Sequence, residues 1–127
     1  AKGPLGSIMV VVATDAPLSD RNLRRHASRA MLGIGRTGSS VDNGSGDYVI
    51  AFSTGKAVRR PRGAVRISQT DVGNDFISGL FDGVAEATEE AIYNSLFMAT
   101  TQTANGHTVA ALPAAEVLAI LKARGAI

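Results

Sequence analysis

A chain of 127 residues with 45% apolar residues is long enough to bury a hydrophobic core and too apolar for general disorder. Thirteen Lys and Arg against eleven Asp and Glu leave a formal charge of +2, which argues for neither a polyanion-binding tail nor an acidic solvating region. The lack of cysteine excludes disulfides, thiol catalysis and cysteine-bound metals, and the longest apolar run, residues 8–13, is too short to cross a bilayer.

Residues 8–14 are continuously apolar, β-branched and ended by Asp15-Ala16-Pro17, which predicts a buried strand. Ser19 is placed as a helix N-cap with Asp20 in the first turn. Leu23, Ala27, Ala30, Met31 and Ile34 recur at helical spacing, so an amphipathic helix is expected over residues 20–34. Arg21, Arg24, Arg25, Arg29 and His26 fall on its cationic side, and Gly33, Gly35 and Gly38 are expected to close it. The glycine-rich turn Asn43-Gly44-Ser45-Gly46 leads into a second predicted strand, residues 48–54. Residues 56–70 read as a basic, proline-containing loop with a short strand at 64–68.

A long helix is expected over residues 74–100. Phe76, Leu80, Phe81, Val84, Ala87, Ala91, Leu96 and Met98 give it an apolar surface broad enough to be sandwiched. Asn105-Gly106 marks a turn. Leu112-Pro113 opens a last helix, with Val117, Leu118 and Leu121 as its buried stripe and Gly125 at its end. Strands alternating with helices argue for α/β layers, and the chain reads as a single unit over residues 1–127.

Several patterns are better explained by structure than by ligands. Gly33-Ile34-Gly35-Arg36-Thr37-Gly38 has the spacing of a dinucleotide fingerprint, but its glycines end a helix instead of following a strand. The arginines at 21–29 and 59–66 have few aromatics between them, so a solvated face or subunit contact is favoured over nucleic acid. His26 and His107 lack a carboxylate or second histidine at ligand spacing, so no metal and no cofactor is expected. Asn43-Gly44-Ser45 fits a glycosylation acceptor, relevant only in a secreted eukaryotic setting. Asp15 reads as structural, satisfying backbone groups in the Ala16-Pro17 turn.

The chemically richest point is the Gly6–Ser7 junction at the head of the first strand. A serine hydroxyl is a weak nucleophile until a base accepts its proton. If the Gly6–Ser7 bond breaks, Ser7 gains a free α-amine whose ordinary pKa of about 7.7–8.0 lies near the optimum for a general base. On spacing alone, a small residue before a strand is more often a turn. Ser45-Gly46-Asp47 is a second candidate: two polar side chains flank one glycine at the entry to a strand and share a face. Local capping of backbone donors is the commoner use of such residues. Composition also leaves open a triad of Ser7, His26 or His107, and Asp15 or Asp47.

The segment Gly6-Ser7-Ile8-Met9-Val10-Val11-Val12-Ala13-Thr14-Asp15-Ala16-Pro17-Leu18 resembles the opening of the β-chain of the DmpA-like aminopeptidases, which comprise L-aminopeptidase/D-esterases and β-peptidyl aminopeptidases. Arg29-Ala30-Met31-Leu32-Gly33-Ile34-Gly35-Arg36-Thr37-Gly38-Ser39, Asn43 through Thr54, and Ala91 through Thr100 extend the resemblance in the same order; residues 55–66 add little.

The resemblance implies a layered αββα sandwich, with this chain as its C-terminal, serine-bearing half and residues 1–6 preceding the cleavage point. Gly3-Pro4-Leu5-Gly6-Ser7 equally fits the remnant left when a purification tag is removed. It implies hydrolysis of N-terminal aminoacyl amides, peptides or esters, with Ser7 as nucleophile and Ser45 and Asp47 assisting it, and it speaks against a histidine base. Some β-peptide-cleaving members carry Glu where this chain has Asp47, which places β-peptide specificity in question. The implied partners are the α-chain of the same precursor, which contributes oxyanion donors, and further αβ units in a higher homo-oligomer. Neither nucleic acid nor membrane is an expected partner. A cytoplasmic location is expected, with the periplasm as the alternative because the native N-terminus lies on the α-part. The competing readings are an inactive unprocessed fragment, an acetyltransferase of the ornithine acetyltransferase type, which uses threonine where Ser7 stands, and a basic interaction module.

Overall fold

The computed structural model describes residues 6–127; residues 1–5, most of the expected pre-cleavage segment, lie outside the described residues. The chain divides into two compact units, one ending at Glu89 and the other comprising Glu90–Ile127.

In the first unit, strand β1 (Met9–Thr14) pairs in parallel with β2 (Tyr48–Ser53), and helix α1 (Asp20–Arg36) makes the crossover between them. The register sets Met9 opposite Tyr48 and Thr14 opposite Ser53. Ser19 caps α1 as expected, its Oγ accepting from the Asn22 N–H at 3.3 Å. Ser19 and Asn22 are themselves held by Asp71, which accepts from the Ser19 N–H at 3.0 Å and from Asn22 Nδ2 at 2.8 Å. Burial alone would raise the Asp71 pKa, but hydrogen bonds from the Ser19 and Asn22 side chains and from the Ser19 and Val72 backbones bring it down to about 2.

Helix α2 (Ser78–Met98) follows a 3₁₀ turn at Asn74–Phe76. Its first half closes the core. Val84 meets Ala30 and Val12, with Val10, Val49 and Ala51 packed around them. Leu18, Ile77 and Phe81 form a second cluster beside it. Leu18 and Ile77 are 1% exposed, and burying such a side chain contributes about 1.5–3 kcal/mol.

In the second unit, β3 (Gln102–Ala104) and β4 (His107–Val109) form an antiparallel hairpin. Asn105 and Gly106 both have positive φ, 51° and 77°, the combination that a tight two-residue hairpin loop needs. Helix α3 (Ala114–Ala123) ends as the sequence predicts: Gly125 has φ +65°, its N–H donates to the Lys122 carbonyl, and the Ala126 N–H reaches the Leu121 carbonyl.

The mixed α/β character matches expectation, and several local expectations are corrected. The continuous apolar run of β1 is buried on one face only. Val10 and Val12 face the helices, whereas Met9 and Val11 are exposed beside Tyr48, Ile50 and Phe52 of β2. Gly33 and Gly35 lie inside α1, and only Gly38, at φ +94°, ends it. Gly33 is there for a close crossing: a Cβ at this position would stand 2.4 Å from the Ala85 carbonyl oxygen of α2. His26 is buried against Phe81 and not on a cationic face, with ring centroids 6.4 Å apart. Arg25 and Arg29 lie over the same Phe81 ring, at 5.0 and 4.2 Å, so part of the first arginine cluster is structural.

No strand forms at residues 64–68, where Val65 is fully exposed. In α2 only Phe81, Val84, Ala85 and Thr88 are buried; Phe76, Leu96 and Met98 are exposed, so the expected sandwiched surface is covered over its first half alone. Helix α3 has no buried residue, and its expected stripe of Val117, Leu118 and Leu121 is only partly covered. Thr14, not Asp15, serves the Ala16-Pro17 turn, its Oγ1 accepting from the Ala16 N–H at 3.2 Å.

Candidate active site

The parallel register carries the chain before β1 alongside the chain before β2. The Tyr48 N–H donates to the Ile8 carbonyl at 3.0 Å, which sets residues 6–8 beside residues 45–47. Ser7 is exposed, while Ser45, Gly46 and Asp47 are half-buried.

Four hydrogen bonds join the two segments or run within them. The Gly46 N–H donates to Ser7 Oγ at 3.0 Å. Ser45 Oγ lies 2.7 Å from the Gly6 carbonyl oxygen and 2.8 Å from Asp47 Oδ1. Asp47 Oδ1 also accepts from the Ile8 N–H at 3.1 Å. A serine hydroxyl has one proton, so Ser45 can donate to the Gly6 carbonyl or to the Asp47 carboxylate but not to both at once. Its proton therefore has two resting places, one of them on the oxygen of the Gly6–Ser7 peptide bond.

Ser7, Ser45 and Asp47, the three residues singled out in the sequence, are thus brought together with Gly6. Two participants were not foreseen: the Gly46 N–H and the Ile8 N–H. Both are backbone groups, and only the strand register, with partners 39 residues apart, reveals them. The histidines are placed elsewhere. His26 lies in the core with Nδ1 unpartnered among the described residues, and burial pushes its pKa below 6.5. His107 sits in β4, opposite Ala104. Among the described residues no group of His, Asp and Glu is arranged to hold a metal ion. No helix among them is long and apolar enough to cross a membrane.

The described residues thus form a parallel βαβ unit backed by a second helix, a mixed α/β protein in which two serines and a carboxylate converge on the Gly6–Ser7 peptide bond. The model of peptidase family S58 matches residues 1–109, and the chain belongs to that family. It is 48% identical over 118 residues to the β-peptidyl aminopeptidase BapA of Sphingosinicella microcystinivorans, an alignment covering 92% of this chain and 30% of that protein. Among solved structures, it superposes on the L-aminopeptidase D-Ala-esterase/amidase of Ochrobactrum anthropi with a TM-score of 0.83 and 32% identity, covering 91% of this chain and 33% of that one. That protein is described as a prototype for the serine aminopeptidases and a variant of the Ntn hydrolase fold. A β-aminopeptidase of a Burkholderia species gives a TM-score of 0.78 at 37% identity, over 88% of this chain and 34% of that one. The chain thus spans about a third of the length of the relatives it matches.

Proposed function

We propose that this chain is the serine-bearing, C-terminal half of a self-processing aminopeptidase, and that Ser7 is its nucleophile. The observation that carries the reading is the Ser45 hydroxyl, 2.7 Å from the carbonyl oxygen of the peptide bond that precedes Ser7. That bond is polarised by a donor on one side, while the Gly46 N–H fixes the orientation of the Ser7 hydroxyl on the other.

In the processing step, Ser7 Oγ attacks the Gly6 carbonyl carbon and negative charge builds on the Gly6 oxygen. The Ser45 proton moves from the Asp47 carboxylate to that oxygen, as an oxyanion donor should. The O–C bond forms, the Gly6–Ser7 C–N bond breaks, and the proton lost by Oγ ends on the Ser7 nitrogen. Water then hydrolyses the ester, releasing the Gly6 carboxylate and leaving Ser7 with a free amine and a free hydroxyl. In turnover the same hydroxyl attacks an N-terminal acyl group, with the new amine as base, to give an acyl-enzyme that water resolves. Ser45 and Asp47 position the proton in both reactions.

The remainder of the protein is the second half of this reading. Met9, Val11, Tyr48, Ile50 and Phe52 form one exposed apolar sheet face, and faces of this kind are covered by another element or self-associate. The relatives are about three times as long as this chain, so an α-chain of the same precursor is available to cover it as the other half of an αββα sandwich. It would also add oxyanion donors and complete the αβ units that assemble into higher oligomers. The test is the complete precursor assayed on aminoacyl p-nitroanilides and esters, beside its Ser7→Ala variant. Hydrolysis that vanishes in the variant supports the reading; an inactive but processed wild type, or a fully active variant, overturns it.

A further inference from the structure

Glycine at position 46 holds a space open beside Ser7. A Cβ there would stand 3.5 Å from Ser7 Oγ and 3.4 Å from Cε2 of the Tyr48 ring. The Ser7 hydroxyl and the edge of that ring therefore face the same few ångströms of open volume, bounded by the Gly46 N–H that donates to Ser7 Oγ at 3.0 Å. Both distances are ordinary van der Waals separations, so a carbon fits between the two without displacing either. Tyr48 opens β2 and is 63% exposed, opposite the exposed Met9, and the pair forms the end of the apolar sheet face nearest Ser7. The core does not account for this ring, because the core lies on the other face of the sheet.

The chemistry of the proposed reaction says what enters the space. During processing the acyl group carried by Ser7 Oγ is Gly6. It lies on the side of Ser45 and the loop residues 38–42, which line a polar cavity of ≈ 270 Å³ with it; Tyr48 does not line that cavity. A substrate's first residue takes the place of Gly6. In turnover Oγ joins the acyl carbon and the C–N bond to the second residue breaks. The second residue leaves as an amine, carrying the proton that the Ser7 amine took from Oγ. It must then lie on the side of Oγ that Gly6 does not fill, and the Tyr48 ring stands on that side. Processing has no such group, since its leaving nitrogen is that of Ser7 itself, so self-cleavage does not need the ring.

We propose that Tyr48 is a specificity-determining residue for the leaving group: its ring is the wall against which the side chain of the substrate's second residue packs. This rests on the reading of Ser7 as nucleophile. An aromatic or large apolar side chain gains offset or edge-to-face contact with the ring, and glycine gains none. Position 46 is the counterpart of the ring, because any side chain there would occupy the space the second residue needs.

The experiment uses the complete precursor and its Tyr48→Ala, Tyr48→Phe and Gly46→Ala variants. Each is assayed on alanyl-phenylalanine amide and alanyl-glycine amide, which break the same kind of bond and differ only in the second side chain. Wild type should favour the phenylalanine substrate in kcat/KM by about 3–10-fold, the scale of one aromatic pair, mostly through KM. Tyr48→Ala should still cleave itself and bring that ratio close to one, whereas Tyr48→Phe should keep it. Gly46→Ala should lower turnover of the phenylalanine substrate more than that of the glycine substrate. A ratio near one in an active wild type, or the wild-type ratio kept in Tyr48→Ala, overturns the assignment while leaving the nucleophile untouched. An equal fall of Tyr48→Ala on both substrates, or its failure to process, also overturns it, since either marks a structural role. A wild type that neither cleaves itself nor hydrolyses either substrate removes the reading of Ser7 and this inference together.

Discussion

Replacing Ser45 with alanine removes one hydroxyl and leaves the backbone contacts of the site in place. Asp47 keeps its bond from the Ile8 N–H at 3.1 Å, and the Gly46 N–H stays on Ser7 Oγ at 3.0 Å. The Gly6 oxygen loses its donor at 2.7 Å, a length typical of a strong O–H···O bond, and Asp47 Oδ1 loses the alternative contact with the same hydroxyl at 2.8 Å. Removing one preorganised oxyanion donor costs about 10²–10³-fold in rate, or about 2.7–4 kcal/mol of barrier. Self-cleavage of a Ser45→Ala precursor should therefore be slower by that factor, without being abolished. The assay follows conversion of freshly translated precursor into its two fragments on denaturing gels, with circular dichroism to confirm an unchanged fold. Ser45→Thr, which keeps a hydroxyl, should process within about tenfold of wild type. Cleavage of Ser45→Ala at the wild-type rate would mean that the contact with Gly6 is incidental, and the role assigned to Ser45 would fall.

Asp47→Asn keeps the shape of the site but removes the charge that holds the Ser45 proton, so steady-state turnover should fall about 10²–10⁴-fold; unaltered turnover would return Asp47 to a turn-capping role. Gly33→Ala forces a Cβ to 2.4 Å from a backbone oxygen of α2, and overpacking of about 1–3 kcal/mol should exceed the roughly 1 kcal/mol of helix propensity gained. Gly35→Ala, with nothing within 4 Å of the added carbon, should be neutral or stabilising, and urea midpoints of the two variants decide the contrast. Burial lowers the His26 pKa, so the unfolded chain takes up a proton that the folded chain refuses, and stability should decline as pH falls through about 6.5. Thermal midpoints at pH 7.5 and 5.5 should drop more in wild type than in His26→Phe, and equal drops would clear the histidine.

The parts of the fold with local causes were readable in the sequence. The N-cap at Ser19, the end of α3 at Gly125 and the strand starting at Tyr48 each follow from one residue type at one position. What two distant segments do together was not readable. Gly33 looked like a helix stop because the crossing of α1 with α2 that requires it has no trace in a single sequence. His26 followed its arginine neighbours onto a cationic face, yet the partner that buries it, Phe81, lies 55 residues further on. Apolar patterning located β1 and α3 but not what covers them, so Val11 and Leu118 were expected to be buried and are exposed. At the site, the residue types of Ser7, Ser45 and Asp47 were legible. The register that sets Ser45 on the Gly6 carbonyl, and recruits the Gly46 and Ile8 amides, came only with the structure.

The central claim is that Ser7 opens its own peptide bond and then acts as the nucleophile. It is tested most directly by the intact mass of the purified complete precursor, measured beside Ser7→Ala after both have stood at neutral pH. The account predicts two fragments for wild type, the smaller beginning at Ser7, and one uncut chain for the variant. Cleavage of the variant between residues 6 and 7, or a wild type that stays whole yet hydrolyses aminoacyl amides, would contradict it.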